Sequence, residues 1–263
     1  VVNGQKVWTT VAHLARWGML VARTNPDVPK HDGLSYFVVD MKSPGVDVRP
    51  LYQITAEAEF NEVFFDDVRI PHENVFGEVG GGWGAAVTTL MNERVALGGG
   101  VPPKGTGPIG DLVRVWNERK GSLSAARMPV ARDRVAALWC RAEALRLTNW
   151  RARDGSKSGN PGPEGSVGKL MSAEMNQHIY EACLDLLGVE GLTYEAGYER
   201  KRPEGFRQRG EENLKYSFLR ARANTIGGGT SEVMRNILGE RVLGLPGDVR
   251  VDKGVGWSEV PRN

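Results

Sequence analysis

The apolar positions of this 263-residue chain change period once. Up to about Pro71 they fall in short runs, KVWTT, WGMLVART, LSYFVVDM, VDVRPLYQ and EFNEVFFDDVRI, rich in β-branched and aromatic residues. Turn formers at Pro26-Asp27, Asp32-Gly33 and Pro44-Gly45 separate them. Strands at this spacing predict an antiparallel sheet or barrel. Beyond Pro71 the period becomes helical, which predicts helices over Trp83–Gly98, Gly110–Lys120, Met128–Asp154, Glu164–Leu187, Glu211–Ala223 and Ser231–Leu243. Breaks fall at Gly98-Gly99-Gly100 with Pro102-Pro103, at Asp154–Pro163 and at the charged stretch Tyr198–Glu212. The expected fold class is α+β: part of an antiparallel β-barrel over residues 1–76, then an all-α domain of four-helix-bundle type over residues 77–263.

Composition narrows the functions this pattern could serve. A hydrophobic share of 40% suits a globular protein with a real core. The 34 Lys and Arg against 32 Asp and Glu leave no basic block, which argues against nucleic acid as the main partner. No run of about 18 apolar residues is present, so no transmembrane helix is expected. The N-terminus VVNGQKVW lacks the order of a signal peptide, and with no Met it reads as if the chain starts inside a domain. Cys140 and Cys183 stand in apolar helical surroundings without a second Cys or His at metal-ligand spacing. They are expected to be buried free thiols, which fits a reducing, cytoplasmic setting.

Hydrolase and metal chemistry find no footing. His13, His31, His72 and His178 lie in unrelated contexts, there is no Gly-x-Ser-x-Gly elbow, and no carboxylate pairs with a histidine at metal spacing. Two other features carry more. On a helix, Trp83, Val87, Leu90, Met91, Val95 and Gly98 share a face, with Arg94 inside that stripe and Glu93 at its edge. A carboxylate beside an apolar face is partly desolvated and its pKa rises toward that of a general base; a salt-bridged helix surface is the alternative. In TIGGGTSEVMRN, Gly227–Gly229 precede a helix capped by Thr230 or Ser231, exposing N–H groups and a helix dipole to a phosphate or a polarised carbonyl. A tight turn without a ligand would look the same.

Taken together, NGQKVWTT at Asn3–Thr10, GLSYFVVDMKSPGV at Gly33–Val46, FNEVFFDDVRIPHENVFGEVGGGW at Phe60–Trp83, LMNERVAL at Leu90–Leu97, LDLLGVEGL at Leu184–Leu192 and TIGGGTSEVMRNILGERVLGLP at Thr225–Pro246 resemble the acyl-CoA dehydrogenase family. They stand in the family's order over nearly the whole chain. The resemblance implies the second half of a β-barrel middle domain and a complete C-terminal bundle, assembled as a tetramer. It also implies FAD as cofactor, an acyl-CoA substrate and an electron-transfer flavoprotein as electron acceptor. By position, Trp8 matches the tryptophan against the flavin ring and Thr10 the hydroxyl at flavin N5. Thr230 and Glu232 match contacts to the flavin's phosphate and ribose region, and Gly188 and Gly191 a segment reaching the adenosine end of a neighbouring subunit's FAD.

The chain departs from the commonest family pattern. Many members carry the catalytic base in a Tyr-Glu-Gly-Thr loop, and here Gly227 and Gly228 occupy those positions. In members that place the base on the first bundle helix, immediately before an Arg, the match is Glu93 followed by Arg94. The resemblance then implies that Glu93 takes the α-proton, that Gly228 offers its N–H to the thioester carbonyl, and that Arg94 supports the pocket. Ser122 stands about where many members place an Arg for the neighbour's FAD pyrophosphate, with Arg119, Lys120 and Arg127 nearby, and Asp185 replaces a Gln. Such changes fit members that form mixed tetramers, some acting on sterol side-chain thioesters. A catalytically silent partner subunit and a flavin oxidase or monooxygenase on the same fold are the alternatives.

Overall fold

A computed structural model describes residues 1–98, 101–156, 164–194, 199–204 and 213–261, with 91–98, 156 and 164 as backbone only. Five strands come first: β1 (Val2–Thr10), β2 (Trp17–Arg23), β3 (Leu34–Asp40), β4 (Val46–Leu51) and β5 (Phe60–Val68). Six α-helices follow among the described residues: α1 (Gly82–Gly98), α2 (Pro108–Arg119), α3 (Arg127–Ser156), α4 (Glu164–Leu187), α5 (Leu214–Ala221) and α6 (Ser231–Arg241). They divide into two compact units. One is built from Val1–Glu93 with Glu199–Gln208 and Asp248–Asn263, the other from Arg94–Tyr198 with Arg209–Gly247.

In the β unit, β5 lies between β1 and β4, and β2 pairs with β3, all antiparallel. Alternation explains which face is buried: Asn61, Val63 and Phe65 of β5 point inward in turn. At Asp67 a left-handed φ of 49° resets the phase, so that Val68 also turns in, opposite a register shift in β1. The core joins Ala12, Leu20, Val39, Met41, Val63, Phe65 and Val68. Two distant segments close over this unit. Lys201 pairs with its backbone beside Ala56 and Ala58, at 2.9 Å on both sides. The tail returns so that Trp257 N–H donates to Val28 C=O and Ser258 N–H to Pro26 C=O, each at 2.9 Å, while Arg23 lies over the Trp257 ring at 4.3 Å.

In the helical unit α4 is the hub, with α2, α3, α5 and α6 packed against it. Ile109, Leu112 and Val115 of α2, Val135 and Leu138 of α3, and Ile179, Ala182, Cys183 and Leu186 of α4 form its core. Burial pushes the Cys183 thiol up to about 12, so it stays protonated. Cys140 departs from expectation: it is free but exposed, on the outer side of α3. A second departure concerns α1. Among its described side chains the buried positions are Gly82 and Ala86, whereas Trp83 and Leu90 of the expected apolar stripe are exposed; Met91, Val95 and Gly98 of that stripe lie outside the described side chains. A Cβ at position 82 would sit 2.4 Å from the Ser35 carbonyl carbon, so small residues bring the helix onto β3. No helix among the described residues is long and apolar enough to cross a membrane.

Candidate functional site

The residues singled out in the sequence fall into three places. The first is the end of β1. A register shift between Lys6 and Thr9 bulges the strand, and Trp8 sits in the bulge with a left-handed φ of 63°. Val11, just past Thr10, is also left-handed at 45°. Such conformations are costly for non-glycine residues, and worse for a β-branched one. Trp8 is 60% exposed there, its ring in an edge-on pair with Phe60 at a centroid separation of 5.8 Å. Thr10 is exposed beside it. Buried Asn61 secures the stretch: its amide donates to Thr9 C=O (3.1 Å) and to Glu59 C=O (3.2 Å), and its Oδ1 accepts from Arg202 (2.8 Å). His13 donates from Nε2 to Pro203 C=O at 2.7 Å, so its Nδ1 is the acceptor facing the Asn61 amide at 3.3 Å. The sequence motifs assign no role to Asn61, His13 or Arg202, because their relation is made by the pairing of distant segments.

The second place is the turn before α6. Gly228 and Gly229 have φ of 68° and 98°, and a Cβ on Gly229 would lie 2.6 Å from Met234 Cε. Ile226 N–H and Gly227 N–H both close on Ala223 C=O, at 3.0 and 2.9 Å. Gly228 N–H and Gly229 N–H have no acceptor among the described residues. Thr230 caps α6 by accepting from Val233 N–H at 3.2 Å. Glu232 is held below the ordinary carboxylate range, first by its own backbone N–H and then by the Thr230 hydroxyl. Gly228, Thr230 and Glu232 are thus brought together.

Thr230 and Glu232 border a cavity of about 380 Å³ lined also by Glu174, Gln177, His178 and Ser231. Ser231 is 4% exposed and its Oγ has no partner among the described residues. Glu174 pairs with Arg235 at 2.5 Å. With Glu232 ionised, the cavity is rich in acceptors and suits hydroxyl groups better than a bare phosphate. Two α4 side chains reach the glycine turn from beneath: Lys169 donates to Asn224 C=O (3.0 Å) and Gly229 C=O, and Gln177 to Thr225 Oγ1 (3.0 Å) and Ala221 C=O (3.3 Å).

The third place is the turn after α4. Gly188 has φ of 61°, and a Cβ at Gly191 would meet Leu184 C=O at 2.7 Å. Two basic residues near it face carboxylates, Arg134 pairing with Asp185 and Arg119 with Glu190 at 2.5 Å, while Arg127 donates to the backbone C=O of Asp185 at 3.1 Å and Lys120 to Asn117 Oδ1 at 3.0 Å. Glu93 and Arg94 lie in the backbone of α1, and their side chains lie outside the described residues. Among the described residues no cluster of His, Cys, Asp and Glu could hold a metal ion.

Residues 1–68 match the family model of the acyl-CoA dehydrogenase middle domain, and residues 80–243 that of the acyl-CoA dehydrogenase C-terminal domain. The chain belongs to the acyl-CoA dehydrogenase family. It is similar to acyl-CoA dehydrogenase FadE34 of Mycobacterium tuberculosis, with 39% identity over 247 residues that span 94% of this chain and 31% of the relative. Acyl-CoA dehydrogenase IpdE1 of Mycolicibacterium smegmatis is 37% identical over 256 residues, 95% of this chain and 59% of the relative. The chain therefore spans less than two thirds of the length of these relatives. Among solved structures, the Tcur3481-Tcur3483 steroid ACAD superposes with a TM-score of 0.76 at 26% identity, over 94% of this chain and 61% of that one. The ChsE4-ChsE5 complex from Mycobacterium tuberculosis gives 0.72 at 26%, over 94% and 62%. The partial antiparallel β domain followed by a helical C-terminal domain agrees with the fold class expected from the sequence.

Proposed function

We propose that this chain takes part in FAD-dependent α,β-dehydrogenation of an acyl-CoA thioester to a trans-2-enoyl-CoA, with Glu93 as the base. What carries this reading is the glycine turn: within this family, it presents a Gly228 N–H with no acceptor among the described residues while offering no carboxylate of its own. The proton acceptor must then come from elsewhere, and Glu93 on α1 is the match.

The residues present fit the cofactor. Ser231 Oγ, buried and without a described partner, lies beside Thr230 and Glu232 on a cavity suited to hydroxyl-bearing ligand atoms. Exposed Trp8 offers an indole face to a flat apolar ring, and Thr10 a hydroxyl donor to a ring nitrogen. Gly188 and Gly191 are assigned to the adenosine end of a neighbouring subunit's FAD. When bound, FAD supplies the acceptor for the hydride leaving the β-carbon.

The chain's own part is proton transfer and polarisation. The thioester carbonyl acidifies the α-carbon; Glu93 removes that proton, and Gly228 N–H donates to the carbonyl oxygen as charge develops there. Arg94 supports the pocket around Glu93. In the intact protein Glu93→Gln is expected to retain FAD and to abolish flavin bleaching by acyl-CoA; retained reduction would remove Glu93 from this role. A panel of straight, branched and steroid thioesters in anaerobic reduction identifies the substrate class, and the steroid ACAD among the similar structures favours the last.

One observation favours a second reading, a subunit that contributes contacts without turnover. Arg134 and Arg119 are each matched by a carboxylate, Asp185 and Glu190, which lowers the positive charge this turn offers a neighbour's pyrophosphate. Two of the similar structures carry two protein names each, which fits a mixed tetramer. If the protein purifies colourless alone and yellow only with a co-expressed chain of the same fold, the mixed assembly holds; stoichiometric FAD in the lone protein excludes it. Electron-transfer flavoprotein is the acceptor assigned by family, checked by its reduction in a coupled assay.

A further inference from the structure

The turn that carries Gly228 is gripped from α4 by a residue outside every recognised motif. Lys169 stands one turn before buried Ala173, and its ammonium bridges two carbonyls, Asn224 C=O at 3.0 Å and Gly229 C=O. These carbonyls bracket Thr225–Gly228. Eight residues further along α4, Gln177 takes the entry to the same turn, through Thr225 Oγ1 and Ala221 C=O. Four oxygens between Ala221 and Gly229 are therefore tied to a single helix.

Three consecutive glycines have more backbone freedom than any other tripeptide, and ordering them costs more entropy. Two turn N–H groups close on Ala223 C=O, which fixes the first half, Ile226 and Gly227. Among the described residues no comparable bond fixes the second half from within. Gly228 and Gly229 take left-handed φ, and the carbonyl of Gly229 is held by Lys169. The Lys169 stem also runs under the turn, with Cε 3.9 Å from the point where a Gly228 side chain would begin. Charge-assisted bonds of this kind are stronger than neutral ones and constrain direction.

We propose that Lys169 is a positioning residue: by bridging Asn224 and Gly229 it sets the direction in which Gly228 N–H points, and through that N–H the polarisation of the substrate carbonyl. The catalytic half of this inference rests on the proposed dehydrogenation; the mechanical half does not.

The test uses the intact, FAD-loaded protein with any same-fold partner it requires, comparing Lys169→Met and Lys169→Arg with the parent. Amide hydrogen exchange is read by mass spectrometry over Ile226–Thr230. In Lys169→Met it is expected to be about tenfold faster there, with α4 and α6 unchanged. Anaerobic flavin reduction at saturating acyl-CoA is expected to slow on the order of 10- to 100-fold, with a much smaller change in half-saturating concentration. Lys169→Arg, which keeps a cation and several donors, is expected to restore part of both. Should Lys169→Met fail to fold, Lys169→Gln gives the same readings.

Unchanged exchange in the turn overturns the clamp. Faster exchange with unaltered reduction overturns the positioning role, as does a loss that falls wholly on half-saturation. A parent protein that no acyl-CoA thioester reduces refutes the dehydrogenation itself, and the exchange measurement still decides whether Lys169 holds the turn.

Discussion

At Trp8 local preference and observed conformation disagree. An indole is kept at φ 63°, 60% exposed, beside a second left-handed residue at Val11, an arrangement that costs about 1–3 kcal/mol per residue. Asn61, Glu59 and Arg202 hold the stretch in place through a buried hydrogen-bonded hub. Strain of this kind persists where surroundings enforce it, and here it aims an aromatic face outward. Trp8→Gly is therefore expected to leave thermal stability unchanged or slightly raised: relief of the left-handed strain offsets loss of the Phe60 edge contact, worth about 0.5–1.5 kcal/mol. The same variant should lose visible flavin absorbance per subunit. A large fall in the melting midpoint of the FAD-free protein would show instead that Trp8 is a packing residue.

At the scale of elements, the two glycines on either side of Gly228 should respond differently to a methyl group. Gly227 needs no positive φ, and the nearest atom to its missing Cβ is Ala223 O at 3.6 Å. Gly229 has φ 98° and would strike Met234 at 2.6 Å, a side chain 1% exposed. Gly229→Ala is expected to destabilise by about 1–3 kcal/mol, and Gly227→Ala by well under about 1 kcal/mol, in denaturant unfolding. Strand alternation and helical period placed these elements well, since α4 begins and ends where its pattern does. They failed where large apolar residues are not what packs. Among the described side chains of α1 the buried ones are Gly82 and Ala86, because close backbone approach selects small residues, and a count of large apolar positions points to Trp83 and Leu90 instead. The helix expected over Glu211–Ala223 is described from Leu214 to Ala221, where the Asn213 side chain caps it by accepting from Tyr216 N–H and Arg222–Thr225 tightens into a separate turn. Within the site, Gly228, Thr230 and Glu232 stood in one legible motif. Lys169 did not: what marks it is a contact across 55 residues, and the only local hint is a lysine one turn from a buried alanine.

At the scale of the molecule, the near balance of charge conceals how the β unit is closed by chain segments far apart in sequence, and that closure makes its stability depend on pH. His31 lies flat against Trp83, with ring centroids 4.2 Å apart and planes 5° from parallel. Next to it Lys30 pairs with Asp252 of the returning tail. The His31 pKa falls below the usual 6.5, first because burial disfavours the cation, then because Lys30 and Arg250 repel it, with Asp32 and Asp252 opposing. For a base whose folded pKa is depressed, the stabilisation is complete above the unfolded pKa and is lost as pH falls through the folded one, because the unfolded chain takes the proton first. Carboxylates add a second loss in the same direction at lower pH. Asp252 is held below its usual 3.8, chiefly by the hydrogen bond from Lys30, and Glu143 below its usual 4.5, chiefly by that from Arg146. Unfolding midpoints of the intact protein should therefore fall in two stages on acidification, a shallow one starting below about pH 6.5 and a steeper one in the carboxylate range. His31→Gln, which keeps a planar group against Trp83 but cannot titrate, should erase the first stage and leave the second. If the shallow stage survives that substitution, the stacked pair is not its source.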